Sequence, residues 1–505
     1  MAGAFDILVV GSGSGGAPVA RRLADAGARV AVIEAGSDPL GDPVVADPAQ
    51  WFALQSGRWD WGHAYRPAAA LNGRVVPIPR GKALGGSSVT NAMMWYRGVP
   101  DDYARWNAVA PGWSWADCLP AFLASESWDG GGQRGTNGPL QITRASADHP
   151  LTQAMLAGGA AMGLPVIDDP NGPEPEGVAL ANFNIDKTGL RHSSADAYLR
   201  PVIGKGVTLL TRTRALSVLF DGDRAVGLRV ADAEGTRDLF ADRIVLAAGA
   251  LETPRLLMLS GIGAKDDLQR LGIKTRIDAP EVGRNLQDHP LLRALNIRPK
   301  RPLGPPVGNG GGTLTIWRSD PSLPQADLLA FPIQNASGGP DLRARYDLSG
   351  EAFAIGVGVM RSYSRGWMRL TGTDPDDPLE IEPNLLSDPR DLTALTTGVL
   401  HLQEMLEGPA FADLFAGHLA PDSRVDRAGA EAFVRLACST FFHCTGTARM
   451  GADAQAVVTP RLQVNGLHNL WIADASVIPE IPACHTHAPV TMIGERAARF
   501  IQEDA

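Results

Sequence analysis

The stretch that most constrains the fold is Phe5 to Gly36, which reads FDILVV-GSGSGG-APVARRLADAGA-RVAVIEAG. An apolar run ends at Val10, a glycine-rich turn follows, helix-forming residues lead to Gly27, and a second apolar run ends on Glu34. Gly11, Gly13 and Gly16 stand in G-x-G-x-x-G register. In a βαβ unit the first glycine permits the tight turn, the second lets backbone approach a pyrophosphate, and the third lets helix pack close to strand. The helix-start N–H groups then face phosphate oxygens. Glu34 falls at the end of the second strand, roughly 20 residues on, where an acid accepts hydrogen bonds from a ribose 2′-OH. This pattern predicts a dinucleotide site and, by itself, allows NAD and FAD alike.

The rest of the chain narrows the class. Its 505 residues predict about two to four domains with ample cores. A net charge of −9 argues against a nucleic-acid footprint, which needs a basic face. No apolar run reaches the roughly 18 residues of a spanning helix. The first strand begins at Phe5, which leaves no room for a signal peptide. Cys118, Cys438, Cys444 and Cys484 are too few for a disulfide framework in so long a chain. The expectation is a reduced, cytoplasmic protein, its oligomeric state not readable from sequence.

Residues 37–75 are irregular and rich in Pro, Gly and Trp, with Trp51, Trp59 and Trp61 read as packing under long loops. Gly81, Gly85 and Gly86 with Ser87 and Ser88 can form a backbone nest facing an anion or a cofactor edge. From Val207 to Val230, alternation around an Asp-Gly turn predicts an antiparallel meander. A buried strand over 242–248 then runs into Gly249 and Ala250 before a helix, so the parallel sheet of the first unit resumes there. Residues 298–312 read as a surface loop, and short β-prone runs over 313–382 as an antiparallel sheet. A strand over 469–473 and a closing helix from Thr491 end the chain. The expected class is α/β: a Rossmann-like cofactor domain with a parallel sheet (1–150, 190–290 and 440–505), interleaved with a substrate domain built on an antiparallel sheet with helices (151–189 and 291–439).

Chemistry concentrates in two late segments, Phe441 to Gly451 (FFHCTGTARMG) and Asp474 to Met492, which carries Cys484-His485-Thr486-His487-Ala488-Pro489. Histidine titrates near neutrality and is the usual proton acceptor in catalysis. A metal site is disfavoured, because the Cys/His spacings match no tetrahedral zinc pattern. A serine hydrolase is disfavoured too, since no G-x-S-x-G elbow is present apart from the Gly11-Ser12-Gly13 turn.

Taken together, VVGSGSGG with VIEAG, RGKALGGSSVTNAMMWYRG, AAGALETPRLLMLSGIG, VGRNLQDH, PNLLSDPRD, HCTGTARMG and WIADASVIP…HTHAPVTMIGERAA resemble, in order, the signatures of the glucose–methanol–choline (GMC) flavoprotein oxidoreductases. The resemblance implies FAD in the Rossmann-like domain and oxidation of an alcohol by hydride transfer to flavin N5. It implies that His443 is the catalytic histidine, that His487 occupies the second catalytic position, and that His485 supports them. Residues expected to face the cofactor are Gly11, Ser12, Gly13, Ser14, Gly16, Glu34, Ala35, Arg80, Gly85, Gly86, Ser87, Asn91, Met93, Ala215, Ala248, Gly249, Asp474, Ala475, Thr486, His487 and Pro489. Trp95, Phe331, Trp367 and Phe442, with Tyr363, are candidates for the substrate wall. Cys444 replaces the usual Pro after the catalytic histidine, and it and Cys484 read as small buried residues. Gly85 to Met93 contains no histidine for a covalent tether, so FAD is expected to be held non-covalently.

The chain looks most like compact bacterial members acting on small primary or benzylic alcohols, such as aryl alcohols, hydroxymethylfurfural or pyridoxine. Sugar, choline-like and long-chain alcohols stay open. The expected reaction is oxidation of an activated primary alcohol to its aldehyde, with O2 as acceptor. A dehydrogenase using a quinone and a hydroxynitrile lyase of the same family are the alternatives.

Overall fold

The computed structural model describes residues 5–504. Strand β1 (Ile7–Val10), helix α1 (Gly16–Asp25) and strand β2 (Val30–Ile33) form the βαβ unit that the glycine turn requires. Both strands are fully buried four-residue runs, as a parallel sheet covered on both faces demands. The sheet has five parallel strands, ordered Val207–Leu210, β2, β1, Arg243–Leu246, Leu470–Ile472. The chain therefore leaves this sheet three times, after β2, Leu210 and Leu246, and returns to it each time.

Val207–Leu210 departs from the meander expected there. It pairs parallel with β2, and the antiparallel meander proper comprises Arg214–Asp221, Arg224–Asp232 and Gly235–Phe240. The reason is register: alternation alone cannot tell an edge strand of a parallel sheet from the first strand of a hairpin. The closing helix also begins earlier than expected, at His487 rather than Thr491. Pro489 does not delay it, because proline is tolerated in the first turn, where its missing N–H has no partner to lose.

The second sheet is antiparallel and seven-stranded, drawn from Gly177–Leu180, Pro290–Pro299, Thr313–Trp317, Leu328–Ile333, Phe353–Val359, Phe415–Ala420 and Ser439–Thr440. Pro389–Glu407 packs on it, its first turn capped by the Asp388 side chain. The architecture is thus α/β, with a Rossmann-like parallel sheet joined to a largely antiparallel one. Among the described residues no helix is long and apolar enough to cross a membrane.

One buried charge cluster ties the segments around Trp95. Glu126 is fully buried and pairs with Arg134 at 2.7 Å and Arg97 at 3.4 Å, and it also accepts the Trp95 indole N–H at 2.9 Å. Removing the carboxylate takes from buried Arg97 its carboxylate partner and leaves buried Arg134 with Asp169 alone as counter-charge. Glu126→Ala is therefore expected to destabilise the protein by about 3–5 kcal/mol, read as a lowered urea midpoint.

Candidate functional site

The carboxyl ends of the parallel strands open onto one deep cavity, lined by residues 10–15, 33–35, 213–215, 247–252 and 474–475. The same cavity runs on to Phe331, Phe441, His443, His485 and His487, so the glycine turn and the histidine segments open onto one space.

The first half is a backbone cradle. Gly11 has φ +96°, and a Cβ there would lie 2.3 Å from the Ala247 carbonyl oxygen. The Gly13 position is open on one side and meets only Gly86 and Gly85 backbone, at 3.7 Å or more. Glu34 is buried, and accepts from the Ser12 N–H (3.2 Å), the Ser12 hydroxyl (2.6 Å) and the Gly36 N–H (2.8 Å). Burial pushes its carboxyl up, and those three bonds oppose the shift. Asp474 is held likewise: one oxygen accepts from Gly249 N–H and Thr253 hydroxyl, the other from Ser476 N–H and hydroxyl. These carboxylates fix the loops at the strand ends.

Arg191 was not picked out by sequence reasoning, yet it braces the next wall. Buried, it donates to the Asn91 backbone and side-chain oxygens (2.7 and 2.9 Å), Ser88 O (3.2 Å) and Val45 O (2.9 Å). Asn91 in turn accepts from the N–H of Met93, whose φ is +61°. That left-handed turn is costly for a side-chain residue, so it persists only because Asn91 and Arg191 hold it.

The second half carries histidines. His443 and His485 are buried in the cavity wall, edge to face with ring centroids 5.3 Å apart. Phe441 stacks on His443 at 5.1 Å and 7°, and Phe331 packs on Phe441. Both ring nitrogens of His485 are buried without a hydrogen-bond partner. His443 Nδ1 lies 2.9 Å from His289 Nδ1, in a segment that motif reading quoted without giving His289 a role. Beneath them Asp288 accepts from the backbone N–H of His289 (2.8 Å) and His443 (2.9 Å), from the Tyr65 hydroxyl (2.5 Å) and from the Thr440 hydroxyl. A buried carboxylate with four donors locks the His443 backbone in place.

His443, His485 and His487 all line the cavity. His487, expected as the partner of His443, engages Ser14 Oγ through Nδ1 at 2.7 Å and meets the edge of Trp95 at 5.4 Å. His485, expected only to support, is the ring that faces His443. The physical reason is the helix start: His487 is already the first helical residue, turned toward α1, while His485 lies in the preceding loop.

The other expected residues divide. Ser12, Ser14, Ala35, Arg80, Gly86, Ser87, Asn91, Met93, Ala215, Ala248, Gly249, Ala475 and Thr486 line the cavity, as do Phe331 and Phe442. Gly16 and Gly85 stand behind it as close-packing positions: a Cβ would meet Gly11 O at 2.0 Å and the Val89 side chain at 2.8 Å. Pro489 sits in the first turn of the closing helix. Trp95 is fully buried behind His487, its N–H drawn away to Glu126. Trp367 lies on a separate two-stranded ribbon with Arg66 and Arg369 over its ring, and Tyr363 is exposed under Arg390. Neither belongs to the wall. Trp51 and Phe52 do, although Trp51 was expected only to pack under a loop, and so does Arg293, for which no motif gave a signal.

Cys444 and Cys484 are buried free thiols; Cys444 lies 3.1 Å from the Tyr65 hydroxyl. Burial pushes the Cys444 thiol up to about 12 and Cys484 well above its ordinary value, so both stay protonated and unreactive. Among the described residues no group of three or more His, Cys, Asp or Glu is placed to hold a metal ion.

Comparison with known proteins fits this geometry. The N-terminal model of the GMC oxidoreductases matches residues 5–291 and the C-terminal model residues 362–494. The chain is 37% identical to an uncharacterized GMC-type oxidoreductase of Mycobacterium tuberculosis, over 98% of this chain and 99% of that protein. This chain belongs to the GMC oxidoreductase family. It is also 35% identical to pyridoxine 4-oxidase of Microbacterium luteolum, over 97% of this chain and 98% of that one. The crystal structure of pyridoxine 4-oxidase from Mesorbium loti superposes with a TM-score of 0.94 at 34% identity, over 99% of both chains.

In this GMC oxidoreductase the histidines are kept neutral. Burial holds His443 well below its usual value, with His289, His485 and Arg80 adding repulsion. Burial pushes His485 and His487 down to about 4, and His289 down to about 3, with His485 adding to the last. The unfolded chain takes up these protons from about pH 6.5 downward, while the folded protein resists until far lower. The unfolded state then binds more protons, so stability is full above pH 6.5 and falls as the pH drops toward 4. The melting temperature is expected to decline over that window, and His485→Asn, which removes one titrating ring, to make the decline shallower in a thermal scan at pH 7.5 and 5.

Proposed function

We propose that this GMC oxidoreductase uses non-covalently held FAD to oxidise an aromatic or otherwise activated primary alcohol to its aldehyde, with O2 as acceptor giving H2O2. The observation that carries the reading is the pair His443 and His485, two neutral rings with unused nitrogens at the wall of the same cavity that the glycine cradle lines.

The residues present fit FAD. The cradle at Gly11–Gly15, where a Cβ would collide with neighbouring backbone at Gly11 and Gly15, suits the pyrophosphate at the start of α1. Glu34 suits the adenosine ribose, and the 86–93 wall with Asp474 and Ala475 suits the flavin end. Ser12, Ser14, Ala35, Arg80, Ala215, Ala248, Gly249 and Thr486 complete that surface. His487, bonded to Ser14 with Nε2 buried and unpartnered, is assigned to cofactor contact and positioning. When bound, FAD supplies the two-electron acceptor for the carbinol carbon.

The chain's own residues handle the proton. With His443 Nδ1 donating to His289 Nδ1, the lone pair on His443 Nε2 is left free to accept the hydroxyl proton. This fixes the tautomer, and Asp288 fixes the backbone. His485 donates a hydrogen bond that holds the alcohol oxygen as charge develops on it. Their low proton affinity in the empty wall keeps both rings neutral at pH 7, the state in which His443 can act as base. Phe331, Phe441, Phe442 and Trp51 give the cavity an aromatic lining suited to a flat, unsaturated substrate. Similarity to pyridoxine 4-oxidase supports both the aromatic primary alcohol and oxygen as acceptor.

An anaerobic titration with benzyl alcohol, 5-hydroxymethylfurfural and pyridoxine, watched by flavin absorbance and followed by air, tests the reading. Bleaching on alcohol and rapid recovery with peroxide in air is expected. Recovery only after a quinone is added would make it a dehydrogenase, and no bleaching by any alcohol would overturn it. His443→Ala should keep flavin bound yet lose about 10²–10⁴ in the rate of bleaching. Acid precipitation should release all yellow colour to the supernatant; colour retained in the pellet would mean a covalent tether.

A further inference from the structure

The substrate half of the cavity contains a guanidinium that no carboxylate among the described residues answers. Arg293 lies on the long strand Pro290–Pro299 and lines the cavity. Its guanidinium stands 5.9, 5.6 and 5.3 Å from the ring centres of Trp51, Phe52 and Phe442. Among the described residues its one hydrogen-bonding neighbour is Gln55 Oε1, at 3.4 and 3.5 Å, the outer limit of such a bond. Among the described residues it forms no ion pair.

Arg293 is half-buried, and the more deeply buried arginines nearby are better supplied with acceptors: Arg97 and Arg134 share Glu126, and Arg191 donates to four oxygens. Burial without a counter-charge pulls Arg293 down to about 10, so at pH 7 it still carries its proton. Cation–π contacts of roughly 0.5–2 kcal/mol do not offset the loss of water from a charge. A second donor waits beside it: Gln55 Nε2 is buried with no partner.

The strand also sets the spacing. Leu291 and Arg293 alternate on the strand and both line the cavity, and His289, just before the strand begins, touches the base His443. Arg293 is thus four residues, roughly 14 Å of extended chain, from the reacting end. After the reach of the two side chains, that interval suits one aromatic ring.

We infer that Arg293, with Gln55, is a specificity site for a carboxylate, and that the preferred substrates are hydroxymethyl-arenes bearing a carboxylate across the ring from the alcohol. Guanidinium and carboxylate match as a two-bond fork, and the aromatic cage that desolvates Arg293 strengthens the pair. The same charge repels quaternary ammonium alcohols. The inference rests on the alcohol-oxidising reading above for its reaction, though not for its binding event.

The test compares 4-(hydroxymethyl)benzoate with its methyl ester, a neutral partner of nearly the same shape, on the flavin-loaded enzyme. kcat/KM for the carboxylate should exceed that for the ester by about 10- to 100-fold, the worth of a hydrogen bond to a charged group. Arg293→Met should abolish that preference while changing the ester by less than about threefold, and Arg293→Lys should keep part of it. Benzoate, titrated as a dead-end ligand against flavin absorbance, should bind the wild type at least about tenfold more tightly than Arg293→Met. Equal kcat/KM for acid and ester in the wild type, or a preference that survives Arg293→Met, would overturn the inference. If neither alcohol bleaches the flavin, the alcohol-oxidising reading falls, and the benzoate titration still decides whether Arg293 binds a carboxylate. If Arg293→Met loses its flavin, the wild-type pair and Arg293→Lys carry the decision.

Discussion

The close contact of backbones at the ends of the parallel strands is the constraint on which the rest depends. A Cβ on Gly15 would lie 1.9 Å from the Ala473 carbonyl oxygen, and one on Gly494 would lie 2.3 Å from the Gly15 carbonyl oxygen. The first turn, the last strand and the closing helix are therefore in contact through main chain alone. Because every strand of that sheet points the same way, each delivers its following loop to the same edge. Residues 11–15, 34–36, 247–249 and 474–475 meet there although they are spread over almost the whole sequence. The long excursions between them are free to build the second sheet, whose strand Pro290–Pro299 begins at the histidines.

The charges of the site follow one rule with one exception. Glu34, Asp288 and Asp474 are buried carboxylates, each held by three or four N–H or O–H donors. Such groups cost little once satisfied, and they hold loops rigid. The histidines are kept neutral by burial and by one another. Among the described residues Arg293, in the substrate half, has no carboxylate partner and only a long contact to Gln55, which is the opening the proposed carboxylate would fill.

What could be read in the sequence was what local geometry encodes. Gly11, Gly13 and Glu34 act within one βαβ unit, so their spacing alone predicts their places. Asp474 and Gly249 were legible because each ends a buried strand with small or acidic residues. The histidines were legible as a cluster, though not which ring packs against which. His485 and His487 are two residues apart across the start of a helix, and which one faces His443 depends on where that helix begins. Placing its start four residues late, at Thr491, erased the turn that separates them. Aromatic residues failed for a different reason. Trp95, Trp367 and Trp51 are equally apolar in sequence, and what sorts them is the partner each indole finds: Glu126 for Trp95, the Asn309 carbonyl beside the cavity for Trp51.

The position of the His443 ring, the proposed base, follows from a division of labour among its neighbours rather than from His443 alone. Phe442 has φ +65°, a left-handed turn that its neighbours must hold. Its carbonyl accepts from Arg80 and its N–H donates to the Thr440 hydroxyl at 2.6 Å, while that hydroxyl donates to Asp288. The turn sends Phe441 and His443 to the same side, where their rings stack at 7°. A strain of this kind, over-determined by hydrogen bonds on both flanks, leaves His443 little freedom to rotate away from the substrate. Cys444, at the next position, needs only to be small and inert enough to fit against Tyr65, which is what a buried thiol held at about 12 provides. The departure from the usual proline is thus absorbed by packing, and the geometry of the base is set upstream of it.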